Sequence, residues 1–222
     1  MKTEDVLKLI GAVGIIPVIR ATNADEAVCA VEAVLAGGIP VVEITMTVPN
    51  AAAVIGQVAS RYGDQVLVGA GTVLTSEQAK MCLDAGAEFI VSPGLSLAVL
   101  TTVQSCGKLA IPGALTPTEL MNAREQGAKL IKIFPCGSLG GPKYLKSLKA
   151  PFPNVSLIPT GGVNASNAAE YLASGAFALG VGAELVDAAA IREGKSAKIV
   201  AAARELVETV RRVRSAQNRS NA

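Results

Sequence analysis

The chain contains no histidine, and only 3% of its 222 residues are aromatic. The absence of histidine excludes His-based catalytic triads, His-ligated metal sites and general acid–base chemistry by histidine. Any catalysis must therefore use Lys, Glu, Asp, Tyr, Cys or backbone groups. With so few rings, the core has to be built from Ala, Val, Ile and Leu, the residues that fill parallel sheets and layered barrels.

Strong charge, paired cysteines and long apolar runs are missing as well. The formal net charge is +2 and the basic C-terminal residues lack interleaved aromatics, so no nucleic-acid partner is expected. The four cysteines are scattered without a CxxC pair and are interpreted as reduced packing residues of a cytoplasmic protein, Cys136 included. No run is long enough to cross a membrane, and acidic residues stand near the N-terminus where a signal peptide would be basic.

Short β-rich runs alternate with helix-patterned segments, and the strand starts lie about 20 to 27 residues apart, the length of one βα unit. Eight such units predict an α/β fold of the TIM (β/α)8 barrel type with an extra N-terminal helix at Thr3–Val13; an open doubly wound sheet is the alternative. We expect one barrel domain over 1–214 and a disordered tail over 215–222. The predicted strands are Ile15–Arg20, Val41–Met46, Leu67–Thr72, Phe89–Pro93, Leu109–Ala114, Leu130–Pro135, Leu157–Gly162 and Ala178–Gly182.

Charged residues stand at or near the ends of three predicted strands, where a parallel barrel gathers its active site. Arg20 ends the first strand, Glu43 lies in the second, and Lys132 interrupts the apolar run of the sixth. Burial of a lysine favours the neutral amine, which can attack a carbonyl to form a Schiff base. Glu43 is then its expected proton carrier. The alternative for these two residues is a purely structural ion pair.

Glycines follow the last two predicted strands, in Thr160-Gly161-Gly162 and in Gly180-Val181-Gly182. Barrels commonly bind phosphate at these two places through the backbone N–H groups of glycine-rich loops. The glycines therefore predict a phosphate site, although glycine at either place could instead serve only to turn the chain.

Five motifs occur in order along the chain: VEIT at 42–45, VGAGTV at 68–73, FIVSPG at 89–94, KIFP at 132–135 and PTGGV at 159–163. Together they resemble the 2-keto-3-deoxy-6-phosphogluconate (KDPG) aldolase family, which includes the 4-hydroxy-2-oxoglutarate (KHG) aldolases. The similarity extends from about Ile15 to Val186.

The resemblance implies a class I aldolase, typically a homotrimer, that needs no metal or other cofactor. It would reversibly cleave the small-molecule substrate KDPG to pyruvate and D-glyceraldehyde 3-phosphate. Lys132 would form the Schiff base with pyruvate, and Glu43 would be the general acid and base. The implied substrate-binding residues are Thr72 for the carboxylate, Pro93 and Phe134 for the pocket wall, Thr160 for the aldehyde part and its stereochemistry, and Gly161, Gly162, Gly182 and Ala183 for the phosphate.

Two positions depart from the family pattern. Thr47 stands where some members carry an arginine that binds the pyruvate carboxylate, and Arg20 is the expected substitute because a guanidinium offers a carboxylate a bidentate fork. Ala183 stands where many members place a serine on the phosphate, and the neighbouring Glu184 would repel an anion. KHG or another non-phosphorylated 2-keto-3-deoxy acid thus stays open as substrate, whereas Thr160 argues against a galactonate-type preference.

Two functions outside this family also stay open at the level of sequence. A different phosphate-binding barrel, such as an isomerase or a phosphate-ester synthase, would account for the glycines but not for Lys132. A non-catalytic barrel that binds a sugar phosphate would leave Lys132, Glu43 and Thr72 without a purpose.

Overall fold

Short parallel strands form the centre of the fold. The computed structural model describes residues 1–220, and within them every strand pairing is parallel. The strands are β1 Ile15–Ile19, β2 Val41–Thr45, β3 Leu67–Gly71, β4 Phe89–Val91, β5 Leu109–Ile111, β6 Gly113–Ala114, β7 Leu130–Ile133, β8 Ser156–Pro159 and β9 Leu179–Val181.

The strands form a curled parallel sheet in two hydrogen-bonded parts. One part has the order β5-β4-β3-β2-β1-β9 and the other the order β6-β7-β8. A parallel bridge between Thr160 and Gly180 connects the end of β8 to β9. The fold is therefore α/β with a curled parallel sheet.

The predicted fifth strand is divided at Pro112, so residues 1–220 contain nine strands rather than the eight expected. Proline has no backbone N–H to donate to a neighbouring strand, so the ladder is interrupted there. The carbonyl of Pro112 still accepts a hydrogen bond from the N–H of Lys132 at 2.9 Å. The interruption therefore lies directly beside the strand that carries the lysine.

Helices follow most of the strands, as the alternating pattern predicts. Side-chain caps fix several of their starts: Asn23 accepts a hydrogen bond from the N–H of Glu26, and Thr116 and Glu119 form a reciprocal capping box. The helices are α1 Thr3–Val13, α2 Ala24–Ala36, α3 Ala51–Tyr62, α4 Ser76–Asp84, α5 Leu97–Ser105, α6 Pro117–Glu125, α7 Pro142–Lys149, α8 Ala168–Ala173, α9 Ala188–Arg192 and α10 Ser196–Ser220.

Two apolar clusters lie on opposite faces of the strands, because successive strand residues point to opposite sides. The larger cluster fills the space between the strands and the helices. The smaller one, which we call the interior cluster, joins Val6 and Ile10 of α1 to alternate strand residues such as Val41, Leu130 and Ile158. Helix α1 thus covers the interior face of the strands near their N-terminal ends.

Helix α10 extends further than the sequence predicts. Residues 215–220 of the expected disordered tail are helical, whereas 221 and 222 lie outside the described residues. The guanidinium of Arg214 donates hydrogen bonds to the carbonyls of Ala12 at 2.7 Å and Phe177 at 3.1 Å, which ties the helix to the body of the fold. Within residues 1–220, no helix is long and apolar enough to span a bilayer.

Candidate active site

The two-residue period of the strands places the predicted site residues on the interior face. Val41 belongs to the interior cluster, so Glu43 and Thr45 point the same way from β2. Leu130 likewise fixes the direction of Lys132 in β7. The same period applies to the strands that contain the interior residues Ile16, Ile158 and Ala178. The residues at even spacing after these three also point to the interior face: Arg20, Thr160, Gly180 and Gly182.

Lys132 and Glu43 form a buried pair across the interior face. The Nζ of Lys132 lies 3.9 Å from Oε1 of Glu43, and the two side chains are only 6% and 3% exposed. That separation is too long for a hydrogen bond, and Oε1 of Glu43 has no hydrogen-bond partner among the described residues. The Nζ also lies 5.2 Å from the centre of the Phe134 ring. An acceptor oxygen therefore stands free beside a buried amine.

Burial raises the pKa of the Glu43 carboxyl, and the nearby positive charges of Lys132 and Arg20 partly oppose that rise. The carboxylate lies over Gly71, the last residue of β3, where any Cβ would overlap Oε1 of Glu43. Gly71 thus makes the space into which Glu43 reaches. A carboxyl group with a raised pKa can both donate and accept a proton near neutral pH.

Thr72, directly after β3, has a left-handed backbone with φ of 57°. This conformation is strained for a β-branched residue. Hydrogen bonds on both sides hold it there: the carbonyl of Gly71 accepts from Met46 N–H at 2.8 Å, and Val73 N–H donates to the carbonyl of Val91 at 3.2 Å. Strain that the surroundings enforce is characteristic of residues with a functional task.

Pro93 and Phe134 follow β4 and β7 and stand on neighbouring parts of the sheet. The carbonyl of Pro93 occupies the space that a Cβ on Gly113 would need. The N–H of Phe134 donates to the carbonyl of Ala114 at 3.2 Å, which fixes the backbone of the residue whose ring faces Lys132. Pro93 and Phe134 therefore stand on either side of β5 and β6.

The predicted phosphate loop is formed by the segments after β8 and β9. Gly161 and Gly162 have φ of 87° and 77°, which glycine adopts without strain. Their carbonyls accept hydrogen bonds from the Gly137 N–H at 2.9 Å and the Asn167 side chain at 2.8 Å. These contacts fix the backbone of both glycines.

Arg20 lies beside this loop. A Cβ built on Gly182 would be 3.7 Å from Nη1 of Arg20 and 3.8 Å from Oε2 of Glu184, so both charged groups face the same point. Thr72, by contrast, follows β3, two strands away from β1. Ala183 and Glu184 are exposed and follow Gly182 in a turn. The structure thus places the Arg20 guanidinium beside Gly182 and near enough to Glu43 for its charge to act on that carboxyl group.

Thr45 is a buried residue for which no role is predicted from the sequence. Its hydroxyl donates to the carbonyl of Ile19 at 3.0 Å and lies 2.6 Å from the hydroxyl of Thr47. Because a carbonyl only accepts, the proton of Thr45 is committed to Ile19, so Thr47 donates to Thr45. The hydroxyl proton of Thr47 is therefore already used in a hydrogen bond within the fold. The signal for Thr45 was its two-residue spacing from Glu43 on the same strand face.

The thiol of Cys136 lies close to this site and is buried. Burial raises its pKa to about 11, so the thiol stays protonated near neutral pH. Within residues 1–220, no three or more His, Cys, Asp and Glu side chains come together in a way that could hold a metal ion.

Sequence comparison matches most of this chain to one known family. Residues 6–202 match the family described as KDPG and KHG aldolase. The chain is 36% identical over 198 residues to a 2-dehydro-3-deoxy-phosphogluconate aldolase of Treponema pallidum, over 89% of this chain and 94% of that protein. It is 37% identical over 194 residues to a KHG/KDPG aldolase of Escherichia coli, over 87% and 91% of the two chains.

A solved structure of a KDPG aldolase is also similar to this chain. The fold is similar, with a TM-score of 0.84 and 33% identity, to KDPG aldolase from Legionella pneumophila with pyruvate captured at low pH as a covalent carbinolamine intermediate. The similarity covers 90% of this chain and 97% of that one.

Proposed function

This chain belongs to the KDPG and KHG aldolase family, and we propose from that premise that it is a class I aldolase that reversibly cleaves KDPG to pyruvate and D-glyceraldehyde 3-phosphate. The observation that carries the proposal is the buried amine of Lys132 beside the free acceptor oxygen of Glu43. The similar KDPG aldolase of Legionella pneumophila, in which pyruvate was captured as a covalent carbinolamine, supports covalent chemistry of this kind.

In the proposed reaction, Nζ of Lys132 attacks the C2 ketone and forms a carbinolamine. Glu43 donates the proton with which the carbinolamine hydroxyl leaves as water, and an iminium remains. The iminium accepts the electrons of the C3–C4 bond as that bond breaks, and the C4 hydroxyl gives its proton to the Glu43 carboxylate. D-Glyceraldehyde 3-phosphate leaves, Glu43 returns the proton to C3 of the enamine, and water hydrolyses the resulting iminium to release pyruvate from Lys132.

The residues around this pair are proposed to hold the keto acid. Thr72, kept in its strained conformation, would donate its hydroxyl to the carboxylate, and Phe134 and Pro93 would flank the pyruvate part. Thr160 would contact the aldehyde part and influence its stereochemistry. The half-buried position of Thr72 and the ring of Phe134 over Lys132 support these assignments.

The phosphate end of the substrate is assigned to the loops after β8 and β9. Gly161, Gly162, Gly182 and Ala183 would bind it through backbone N–H groups, and the position of Arg20 beside Gly182 supports a charge contact there. Glu184 faces the same point and opposes an anion. A comparison of KDPG with KHG, which has no phosphate, therefore measures how far this loop has kept its phosphate preference.

We also propose that the nine strands close into a single (β/α)8 barrel, β5 and β6 counting as one interrupted strand. The strand order supports closure, because β5 and β6 are continuous in the chain and the Thr160–Gly180 bridge connects β8 to β9. The proposed reaction uses no metal or other cofactor. The four free cysteines fit the predicted cytoplasmic location.

The assembly is proposed to be a homotrimer. Four large apolar side chains on the α4–α6 side are between 45% and 57% exposed: Leu74, Met81, Leu97 and Met121. Several exposed apolar side chains on and beside consecutive helices would fit a surface that another chain covers. Light scattering should give three times the 22.5 kDa chain mass, and Leu97→Asp should reduce it to one chain. A monomeric wild-type protein would contradict the assembly.

The function is tested by coupling pyruvate release to lactate dehydrogenase. KDPG and KHG are compared as substrates, and Lys132→Ala serves as the inactive control. The proposal predicts release from KDPG that depends on Lys132. Release from KHG alone would move the assignment to the non-phosphorylated branch, and release from neither would refute it.

A further inference from the structure

Gly180, in the middle of β9, has a backbone conformation that any residue can adopt. Glycine is needed at this position because there is no room for a side chain. A Cβ built there would overlap Oγ1 of Thr160 and would lie 3.1 Å from its Cβ and Cγ2. Thr160 belongs to the next strand end, and the two residues are bridged partners. The hydroxyl of Thr160 therefore occupies the volume that the missing Cβ of Gly180 leaves.

The backbone of Thr160 is fixed on both sides. Its N–H donates to the carbonyl of Ile133 at 2.9 Å, and its carbonyl accepts from the N–H of Cys136 at 2.9 Å. Its hydroxyl, however, makes no hydrogen bond within the part of the chain that the structure describes. The space above Gly180 accommodates the observed direction of this hydroxyl, which is one of the three staggered positions of a threonine side chain.

We propose that Gly180 is a specificity-determining residue that sets the C4 stereochemistry of the aldol reaction by positioning the Thr160 hydroxyl. The inference rests on the proposed function, in which this hydroxyl contacts the aldehyde part of the substrate. When the C3–C4 bond forms, the aldehyde oxygen takes up a proton, and a donor fixed on one side favours one face of the aldehyde. A Cβ at position 180 forces the hydroxyl into another staggered position and removes that preference.

The test runs the reaction in the direction of synthesis. Pyruvate and D-glyceraldehyde 3-phosphate are incubated with the wild-type protein, Gly180→Ala, Thr160→Ala and the double variant, and the ratio of C4 epimers is measured by chromatography. Gly56→Ala is the matched control, because a Cβ there meets only an ordinary contact at 3.5 Å. Its epimer ratio should equal that of the wild type.

We expect Gly180→Ala to reduce the epimer ratio about tenfold, the effect of losing one neutral hydrogen bond. In the Thr160→Ala background the same change should alter the ratio less than twofold, because the overlapping oxygen is absent. A merely structural role of Gly180 would change the yield but not the epimer ratio. A folded Gly180→Ala with the wild-type ratio, or one whose effect is equal in both backgrounds, would overturn the inference.

Two further readouts keep the test decisive. If Gly180→Ala does not fold, recovery of folding in the double variant supports the steric coupling, and failure of both variants overturns it. Borohydride trapping of pyruvate on the wild-type protein tests the proposed function separately. No adduct would refute that function, whereas an adduct together with an unchanged epimer ratio would refute only the role of Gly180.

Discussion

Thr72 offers a prediction in which stability and activity change in opposite directions. Its φ of 57° places a β-branched side chain in the left-handed region, at a cost of about 1–2 kcal/mol. Thr72→Gly removes this cost but gives the unfolded chain more freedom, which offsets about 0.5–1 kcal/mol. The hydroxyl of Thr72 makes no hydrogen bond within residues 1–220, so no such bond is lost. The net expected gain is therefore about 0–1.5 kcal/mol.

The comparison that isolates strain is Thr72→Gly against Thr72→Ala. Both lack the hydroxyl, but alanine keeps a Cβ and with it most of the strain. We expect the glycine variant to have the higher unfolding free energy, by about 1 kcal/mol, and a melting temperature about 2–4 °C higher. At an unstrained position the order is reversed, because glycine is then less stable than alanine. Gly56→Ala supplies that reversed control, since Gly56 lies inside α3 without a positive φ.

The assays are thermal and urea unfolding together with steady-state kinetics. Both Thr72 variants lose the proposed donor to the substrate carboxylate, so KM for the keto acid should rise about 10- to 100-fold. The reasoning about strain is refuted if Thr72→Gly is less stable than Thr72→Ala. The reasoning about function is refuted if KM remains at the wild-type value in both.

Three other perturbations follow from the site. Burial raises the pKa of Glu43 above its ordinary 4.5, so its contribution to stability is greatest below that pH and is lost as pH rises through the folded pKa. Glu43→Gln should remove this pH dependence in urea unfolding and lower kcat about 10²- to 10⁴-fold. If the stability of the variant depends on pH in the same way as that of the wild type, the assignment is contradicted. Gly71→Ala would overlap Glu43 Oε1 and should lower the melting temperature and kcat, whereas Gly56→Ala changes kcat little; equal effects on kcat would refute the close contact. Burial also raises the pKa of Cys82 and Cys136 to about 11. Peptide mass mapping after alkylation at pH 8 should therefore find the exposed Cys106 modified first. Rapid labelling of Cys136 would show that solvent reaches its thiol and would contradict this expectation.

The sequence was informative where a period or a spacing carries the structure. The active site of a parallel barrel gathers at the strand ends, which predicts Glu43 and Lys132 as partners, and the structure has them 3.9 Å apart. The resemblance of five motifs to the KDPG and KHG aldolase family is confirmed by the family match over residues 6–202. These features depend on the order of residues, which a sequence displays directly.

Features that depend on exact backbone angles and contacts between distant residues were not predictable. The fifth strand is divided at Pro112 because proline has no N–H for the hydrogen bond that a strand residue at this position would donate. The left-handed φ of Thr72 depends on the hydrogen bonds that Met46 and Val73 donate on either side of it. The direction of Arg20 toward Gly182 depends on the neighbouring strand β9, almost 160 positions later in the chain. Helix α10 continues past the predicted boundary, and Arg214 and Gln217 donate hydrogen bonds to carbonyls of remote segments that the local sequence does not reveal.

The most direct test of the account is the identity of the residue that captures pyruvate. The wild-type protein is incubated with pyruvate and borohydride, digested, and examined by peptide mass spectrometry, with Lys132→Ala and Lys132→Arg as controls. A reduced pyruvate adduct is expected on Lys132 in the wild-type protein, and no adduct is expected in either variant. An adduct on another lysine, its persistence in the variants, or no adduct in the wild-type protein would contradict it.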